Sequence, residues 1–198
     1  MSIDASAVKE LRGMTGAGIM DCKKALAEND GDVEKAMTFL RKKGLAAAEK
    51  KAGRETKEGL VGSYIHANGK LGVMVEVACE TDFVARTDEF QALVKDICMH
   101  VAAAAPVAVT REEIPAEIAA TEREMMTAQV AEMGKPEQVR DKIVEGKMEK
   151  WYGEKVLMEQ GFVKDPDQKI SDVVTAAVAK LGENIQIKRF SRFALGEA

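Results

Sequence analysis

The chain is poor in the residues from which active sites are usually assembled. Among 198 residues there are two histidines, His66 and His100, and three cysteines, Cys22, Cys79 and Cys98. Neither histidine has a neighbouring ligand set, which argues against a zinc site. Neither has a cysteine or serine partner of the kind nucleophilic catalysis uses. The cysteines share no metal-ligand spacing and, being odd in number, cannot all pair, so the expected setting is reducing and intracellular. No phosphate loop is present: Asn68-Gly69-Lys70-Leu71 lacks the upstream glycine and the hydroxyl residue after the lysine. Gly13, Gly16 and Gly18 follow no strand and do not make a dinucleotide fingerprint. The carboxylates are many, but none form a pair that the sequence places across a cleft. Long apolar runs are also missing. Val101 to Val109 is broken by Pro106 and too short for a bilayer. Met1-Ser2-Ile3-Asp4 has no basic region leading into an apolar run, so no signal peptide is expected. The expectation is a cytoplasmic protein that is not an enzyme, with no catalytic residue, metal or cofactor and no membrane contact.

Aromatic residues are scarce, at 5%, whereas methionine is plentiful at 11. Methionine fills irregular gaps and suits adaptable contact surfaces. Net charge is −4, which speaks against direct nucleic-acid binding, where a basic surface is the rule. The charge is uneven. Residues 1–57 carry 12 Lys and Arg against 9 Asp and Glu, and residues 58–198 carry 17 against 24.

The periodicities divide the chain. Asp4 is a good N-cap, with Ile3 and Val8 placed as a hydrophobic staple. Val8 and Leu11 face inward on a first helix. Ile19, Cys22 and Leu26 mark a second, and Asn29-Asp30-Gly31-Asp32 makes a turn and a cap. Val33, Ala36, Met37 and Leu40 mark a third helix, expected to stop at Gly44 before a further helical stretch from Leu45 to Ala52. Gly53 to Gly59 has no apolar residue and reads as a linker. Leu60 to His66 and Leu71 to Cys79 read as strands joined across Asn68-Gly69, the strongest short-range hairpin signal. Phe90, Leu93, Val94, Ile97 and Val101 recur at helical spacing. Thr110-Arg111-Glu112-Glu113 has the capping-box pattern, and Pro115 fits a first turn. Two helices then follow across Gly134-Lys135-Pro136, an antiparallel hairpin of about residues 111–160. Residues 162–169 read as irregular, Ser171 as a cap, and Ile185 with Ile187 as a last strand, with a bulge near Lys188-Arg189 where Phe190 and Phe193 break the phase. The fold class is α+β. A helical domain (1–53) and a linker (54–59) precede a core (60–198) with a small, mostly antiparallel sheet of about three strands.

One stretch stands apart. The alternation Val73, Val75, Val77, Cys79 ends at Thr81-Asp82-Phe83-Val84-Ala85-Arg86, where a strand hands over to a helix. An acid and a large aromatic stand side by side on that corner. Locally, Asp82 caps a turn and Phe83 fills the core, or the pair is a wedge offered to a partner.

Those residues, following Glu-Val-Ala-Cys, resemble the signature of the elongation factor Ts family. So does Leu11-Arg12-x-x-Thr15-Gly16-Ala17-Gly18-Ile19-Met20-Asp21-Cys22-Lys23-Lys24-Ala25-Leu26. Gly31-Asp32-Val33-Glu34-Lys35-Ala36, His100-Val101-Ala102-Ala103, Val144-Glu145-Gly146-Lys147-Met148 and Gly182-Glu183-Asn184-Ile185 continue the resemblance in order along the whole chain. The resemblance implies a guanine-nucleotide exchange factor for the translational GTPase EF-Tu. It implies a ubiquitin-associated-like three-helix bundle whose Arg12, Ile19 and Met20 touch the partner. It also implies a corner, Thr81, Asp82, Phe83 and Val84, that disturbs the bound Mg²⁺ so that GDP leaves. Longer members carry two related core halves, each with a hairpin. One hairpin here suggests the short form, and half a core suggests a homodimer. The rival reading is a non-catalytic adaptor that binds a partner without affecting nucleotide.

Overall fold

The computed structural model describes residues 3–134 and 136–197; Met1 and Ser2 of the expected leaderless start, and Lys135 of the expected hairpin turn, lie outside the described residues. The chain forms two compact units. One is Met1–Val61, Val77–Val94 and Asp172–Gln186; the other is Gly62–Glu76, Lys95–Ser171 and Ile187–Ala198.

In the first unit, α1 (Ala5–Thr15), α2 (Ile19–Glu28) and α3 (Val33–Glu49) pack on one another around Val8, Leu11, Cys22, Ala25, Leu26 and Ala36. The caps follow from side-chain chemistry. Asp4 accepts from the Ser6 amide at 3.1 Å, and Asp32 from the Lys35 amide at 3.0 Å, each satisfying a donor that the first helical turn leaves open. Gly16 ends α1 at φ +64°, a conformation that glycine adopts without penalty. The expected stop at Gly44 does not occur, because α3 runs through it to Glu49. Gly44 has no positive φ, and the strong helix formers Leu45-Ala46-Ala47-Ala48 follow it, so the helix continues at the modest cost of one interior glycine. There α3 lies close to α8 (Ile170–Leu181): a methyl group added at position 44 would sit 3.6 Å from Ala179 Cβ. Arg41 pairs with Asp172 at 2.7 Å.

Three strands, β1 (Glu58–Ile65), β2 (Leu71–Cys79) and β5 (Gln186–Ala194), form an antiparallel sheet in the order β1-β2-β5. The hairpin expected across Asn68-Gly69 is present, but its tight turn is centred on Ala67-Asn68, closed by the Gly69 amide donating to the His66 carbonyl at 2.7 Å, and Asn68 lacks the positive φ that a primed Asn-Gly turn requires. Gly69 has φ +67°, and Lys70 donates its amide to Asn68 Oδ1 at 3.0 Å. On β2 the buried set is Val73, Val75, Val77 and Cys79, while Met74 faces out, as the alternation requires. On β5 both Lys188 and Arg189 are exposed, which is where the alternation loses phase.

In the second unit, α6 (Ala116–Glu132) and α7 (Glu137–Lys155) form the expected helical hairpin, with Met126, Val130, Val144 and Met148 buried along the seam. Trp151 packs beside that seam, edge-on to Tyr152. The capping-box expectation fails in detail. Arg111–Glu113 is a separate 3-10 turn, and Glu113 accepts from the Val109 amide at 2.9 Å instead of returning to Thr110. Arg111 lies over the Tyr152 ring and pairs with both Glu149, on α7, and Glu159, just after it. The segment read as irregular is a short antiparallel ribbon, β3 (Gly161–Phe162) with β4 (Asp165–Lys169); β3 has only two residues and β4, Asp-Pro-Asp-Gln-Lys, has no apolar set to alternate with its polar one. The last helix begins at Ile170, one residue before the serine expected to cap it.

The ribbon is tied down by a buried histidine. His100, on α5 (Asp88–Ala104), accepts from the Val163 amide through Nδ1 at 3.2 Å. Nε2 therefore carries the proton and donates to Gln160 Oε1 at 2.9 Å, and Gln160 passes its own amide hydrogens to the carbonyls of Ala104 and Glu154. Burial holds the His100 pKa below its ordinary 6.5. The unfolded chain takes up that proton from about pH 6.5 downward while the folded chain resists it, so this stabilisation is complete above that pH and declines as pH falls toward the folded value. Urea midpoints should fall between about pH 7 and pH 5, and His100→Gln should flatten that slope. An unchanged slope in the variant would assign the pH dependence elsewhere.

Candidate partner-binding site

Strand β2 ends at Cys79, and the chain turns at once into the four-residue helix α4 (Asp82–Ala85). Thr81 caps it with extended backbone and a hydroxyl that accepts from the Val84 amide at 3.4 Å. The capping role considered for Asp82 therefore belongs to Thr81. Asp82 is the first helical residue, where a carboxylate suits the positive end of the helix, and it pairs with Arg86 at 2.8 Å. Phe83 does not fill the core. It is 79% exposed, more than any other large hydrophobic side chain among the described residues. Ala85 and Phe90 turn inward in its place, and Val84 is half-buried. Thr87 restarts the helical register, accepting from the Phe90 amide at 3.2 Å to open α5.

The corner is held from behind by residues that sequence reading assigned no role. Glu183 Oε2 accepts from the amides of Glu80 and Thr81, both at 3.0 Å, and Glu183 Oε1 accepts from the Thr81 hydroxyl at 2.6 Å. In return, Glu80 Oε1 accepts from the Asn184 amide at 2.6 Å and from Arg54 at 3.3 Å. The Asn184 side chain donates to the carbonyls of Ala52 and Arg54, so the expected linker is fastened here. The Cys79 thiol donates to the Thr81 carbonyl at 3.1 Å. Burial first, and then the nearby Glu183 charge, push that thiol's pKa up, so it stays a buried, protonated donor.

The other predicted contact residues lie on different elements of the same unit. Arg12 is exposed on α1; Ile19 and Met20, at the start of α2, are 59% and 73% exposed, with exposed Met14 nearby in the chain. No group of His, Cys, Asp or Glu among the described residues is arranged to hold a metal ion, and none of their helices is long and apolar enough to cross a membrane. A rigidly held, solvent-facing aromatic beside a carboxylate can bind and displace, since aromatic side chains anchor interfaces.

A family model described as Elongation factor TS matches residues 48–197. The chain is similar to Elongation factor Ts of Geobacter sulfurreducens, 60% identical over 197 residues, covering 100% of this chain and 91% of that one. It is 62% identical over 195 residues to the protein of the same name from Anaeromyxobacter dehalogenans, covering 98% and 89%. With that of Desulfosudis oleivorans it shares 57% over 196 residues, covering 99% of each.

The geometry separates the two corner residues by stability. Phe83→Ala should change unfolding free energy by less than about 0.5 kcal/mol, as for an exposed site. Thr81→Ala should cost about 1 kcal/mol or more through the lost cap. Chemical denaturation reads both; a loss of about 3 kcal/mol for Phe83→Ala would mark it as a core residue after all.

Proposed function

We propose that this chain, which belongs to the elongation factor Ts family and is thus a translation elongation factor, promotes the release of GDP from the translational GTPase EF-Tu. The observation that carries the reading is Phe83, 79% exposed on a corner tied by hydrogen bonds on both sides. In this reading residues 1–53 dock on the nucleotide-binding domain of EF-Tu through Arg12, Ile19 and Met20. The corner Thr81-Asp82-Phe83-Val84 enters between helices of that domain. Residues 54–59 connect the docking module to the core at 60–198. Phe83 supplies apolar contact, and Asp82 brings negative charge toward the Mg²⁺ neighbourhood.

The physics needs no bond to be made or broken, so the protein acts as a binding partner and not as an enzyme. Mg²⁺ demands near-ideal octahedral geometry at short distances, so a small shift of its surroundings costs much affinity. A protein that binds the nucleotide-free GTPase better than the GDP form weakens GDP binding by the same factor. The site of action is the cytoplasm, where translation runs. Neither nucleic acid nor a cofactor takes part.

A homodimer belongs to the same reading. Ile65, Met74, Phe193 and Leu195 on the strands of the second unit and just beyond β5 are all exposed, an apolar set suited to a second copy of the chain.

Stopped-flow release of a fluorescent GDP analogue from EF-Tu tests the exchange role. The protein should accelerate release, and Phe83→Ala should slow it by about tenfold or more, the scale of a lost hot-spot aromatic. Binding without acceleration would favour the adaptor reading. Light scattering at micromolar concentration should return twice the 21.5 kDa chain mass; a value of 21.5 kDa would end the homodimer.

A further inference from the structure

We infer that Glu183 is a positioning residue for the Phe83 wedge, holding α4 in the orientation that exchange requires; this rests on the function proposed above. A four-residue helix cannot hold itself, because its first turn fixes several residues for a single hydrogen bond. Its start is fixed from outside. Both oxygens of one carboxylate, Glu183, take the amides of Glu80 and Thr81 and the Thr81 hydroxyl, at 3.0, 3.0 and 2.6 Å. These bonds to an ionised acceptor are the strong kind.

The third bond sets the cap. A hydroxyl has one hydrogen. By donating it to Glu183 Oε1, Thr81 Oγ1 presents a lone pair to the Val84 amide, the bond that starts α4. Removing Glu183 lets that hydroxyl rotate and leaves two neighbouring amides without their acceptor. The clamp is reciprocal, since Glu80 takes the Asn184 amide at 2.6 Å and Arg54 at 3.3 Å, so Glu183 sits on a loop that is itself anchored. Glu183 is far from Phe83 in the chain and bonds to its neighbours rather than to the ring; it acts through Thr81 and the helix that Thr81 caps. A wedge on a loose tether would have to be ordered at the moment of insertion, and that ordering would be subtracted from its effect on the partner.

The test combines Glu183→Ala, Glu183→Gln, Phe83→Ala and the double variant Glu183→Ala/Phe83→Ala in the GDP-release assay, with amide hydrogen exchange on the free proteins. Glu183→Ala should lower the maximal release rate about tenfold, with the half-saturating concentration moving less than roughly threefold, because docking by residues 1–53 is untouched. Glu183→Gln keeps one acceptor oxygen for the two amides but turns a donor toward the Thr81 hydroxyl, so it should recover only part of the rate. In the Phe83→Ala background Glu183→Ala should cost nothing further, because there is no wedge left to aim. Amide exchange at Glu80, Thr81 and Val84 should quicken in Glu183→Ala while the α1–α3 amides keep their protection. A wild-type rate in Glu183→Ala, or a loss that adds in full to that of Phe83→Ala, overturns the inference. Loss of protection throughout the protein in both Glu183 variants overturns it too, by making the residue a general support. A wild-type chain that fails to accelerate release overturns the proposed function instead; the amide measurement needs no partner, and unchanged protection at Thr81 and Val84 would then refute the positioning claim separately.

Discussion

The pleat of β2 is the constraint on which the rest depends. This strand lies between β1 and β5, and Val73, Val75, Val77 and Cys79 on one face are at most 1% exposed. Because side chains alternate with a period of two, a slip of one residue would turn that whole set outward. The register is therefore strongly fixed, and it fixes where the strand ends. Phe83 owes its outward aim to a count that begins in the core: four residues past Cys79, on the second position of a helix whose third and fourth positions turn inward toward the protein. An exposed phenylalanine looks like an error in isolation. It is tolerated because the burial that stabilises this region is carried by its neighbours Ala85 and Phe90.

Much of this was legible in the sequence, and the legible parts share a cause. Local signals were read correctly: the Asp4 and Asp32 caps, the hairpin across residues 66–71, the alternation on β2 and the two long helices across Gly134. Each is decided by residues a few positions apart. Gly44 misled because a glycine after an amphipathic stretch is a stop signal only when its backbone turns left-handed, and the alanines after it favoured extending the helix. The capping box misled because the Glu113 carboxylate accepts from the Val109 amide and not from that of Thr110. Residues 162–169 gave no period because one of the two paired strands is only two residues long.

The candidate site was half legible. The composition of the corner marked Thr81 to Arg86 as unusual, yet local physics left Phe83 undecided between core and surface, and only its three-dimensional setting separates the two. The clamp behind it was out of reach. Glu183 stood within a segment noted for its resemblance to the family, but nothing in a string of letters joins it to Thr81 across 102 positions. Carboxylates are common, and which of them finishes on a backbone amide is settled by tertiary structure. At this corner the sheet and helices supply the frame, the Glu183 carboxylate ties the backbone, and Phe83 meets the solvent.

The unbroken course of α3 has a consequence of its own. A helix advances by about 100° per residue, so its faces are locked to its length. Arg41 reaches Asp172, and Gly44 meets Ala179, only because both lie on the side of α3 that turns toward α8. Inserting or deleting one residue between Ala36 and Arg41 would swing that side away from α8 while the earlier part of the helix stayed fitted to α1 and α2. Length variation in this segment is thus quantised. Changes that approximate whole turns preserve the phase, and single-residue changes do not, so among natural relatives the spacing between these two positions should drift far less freely than the residues that occupy it.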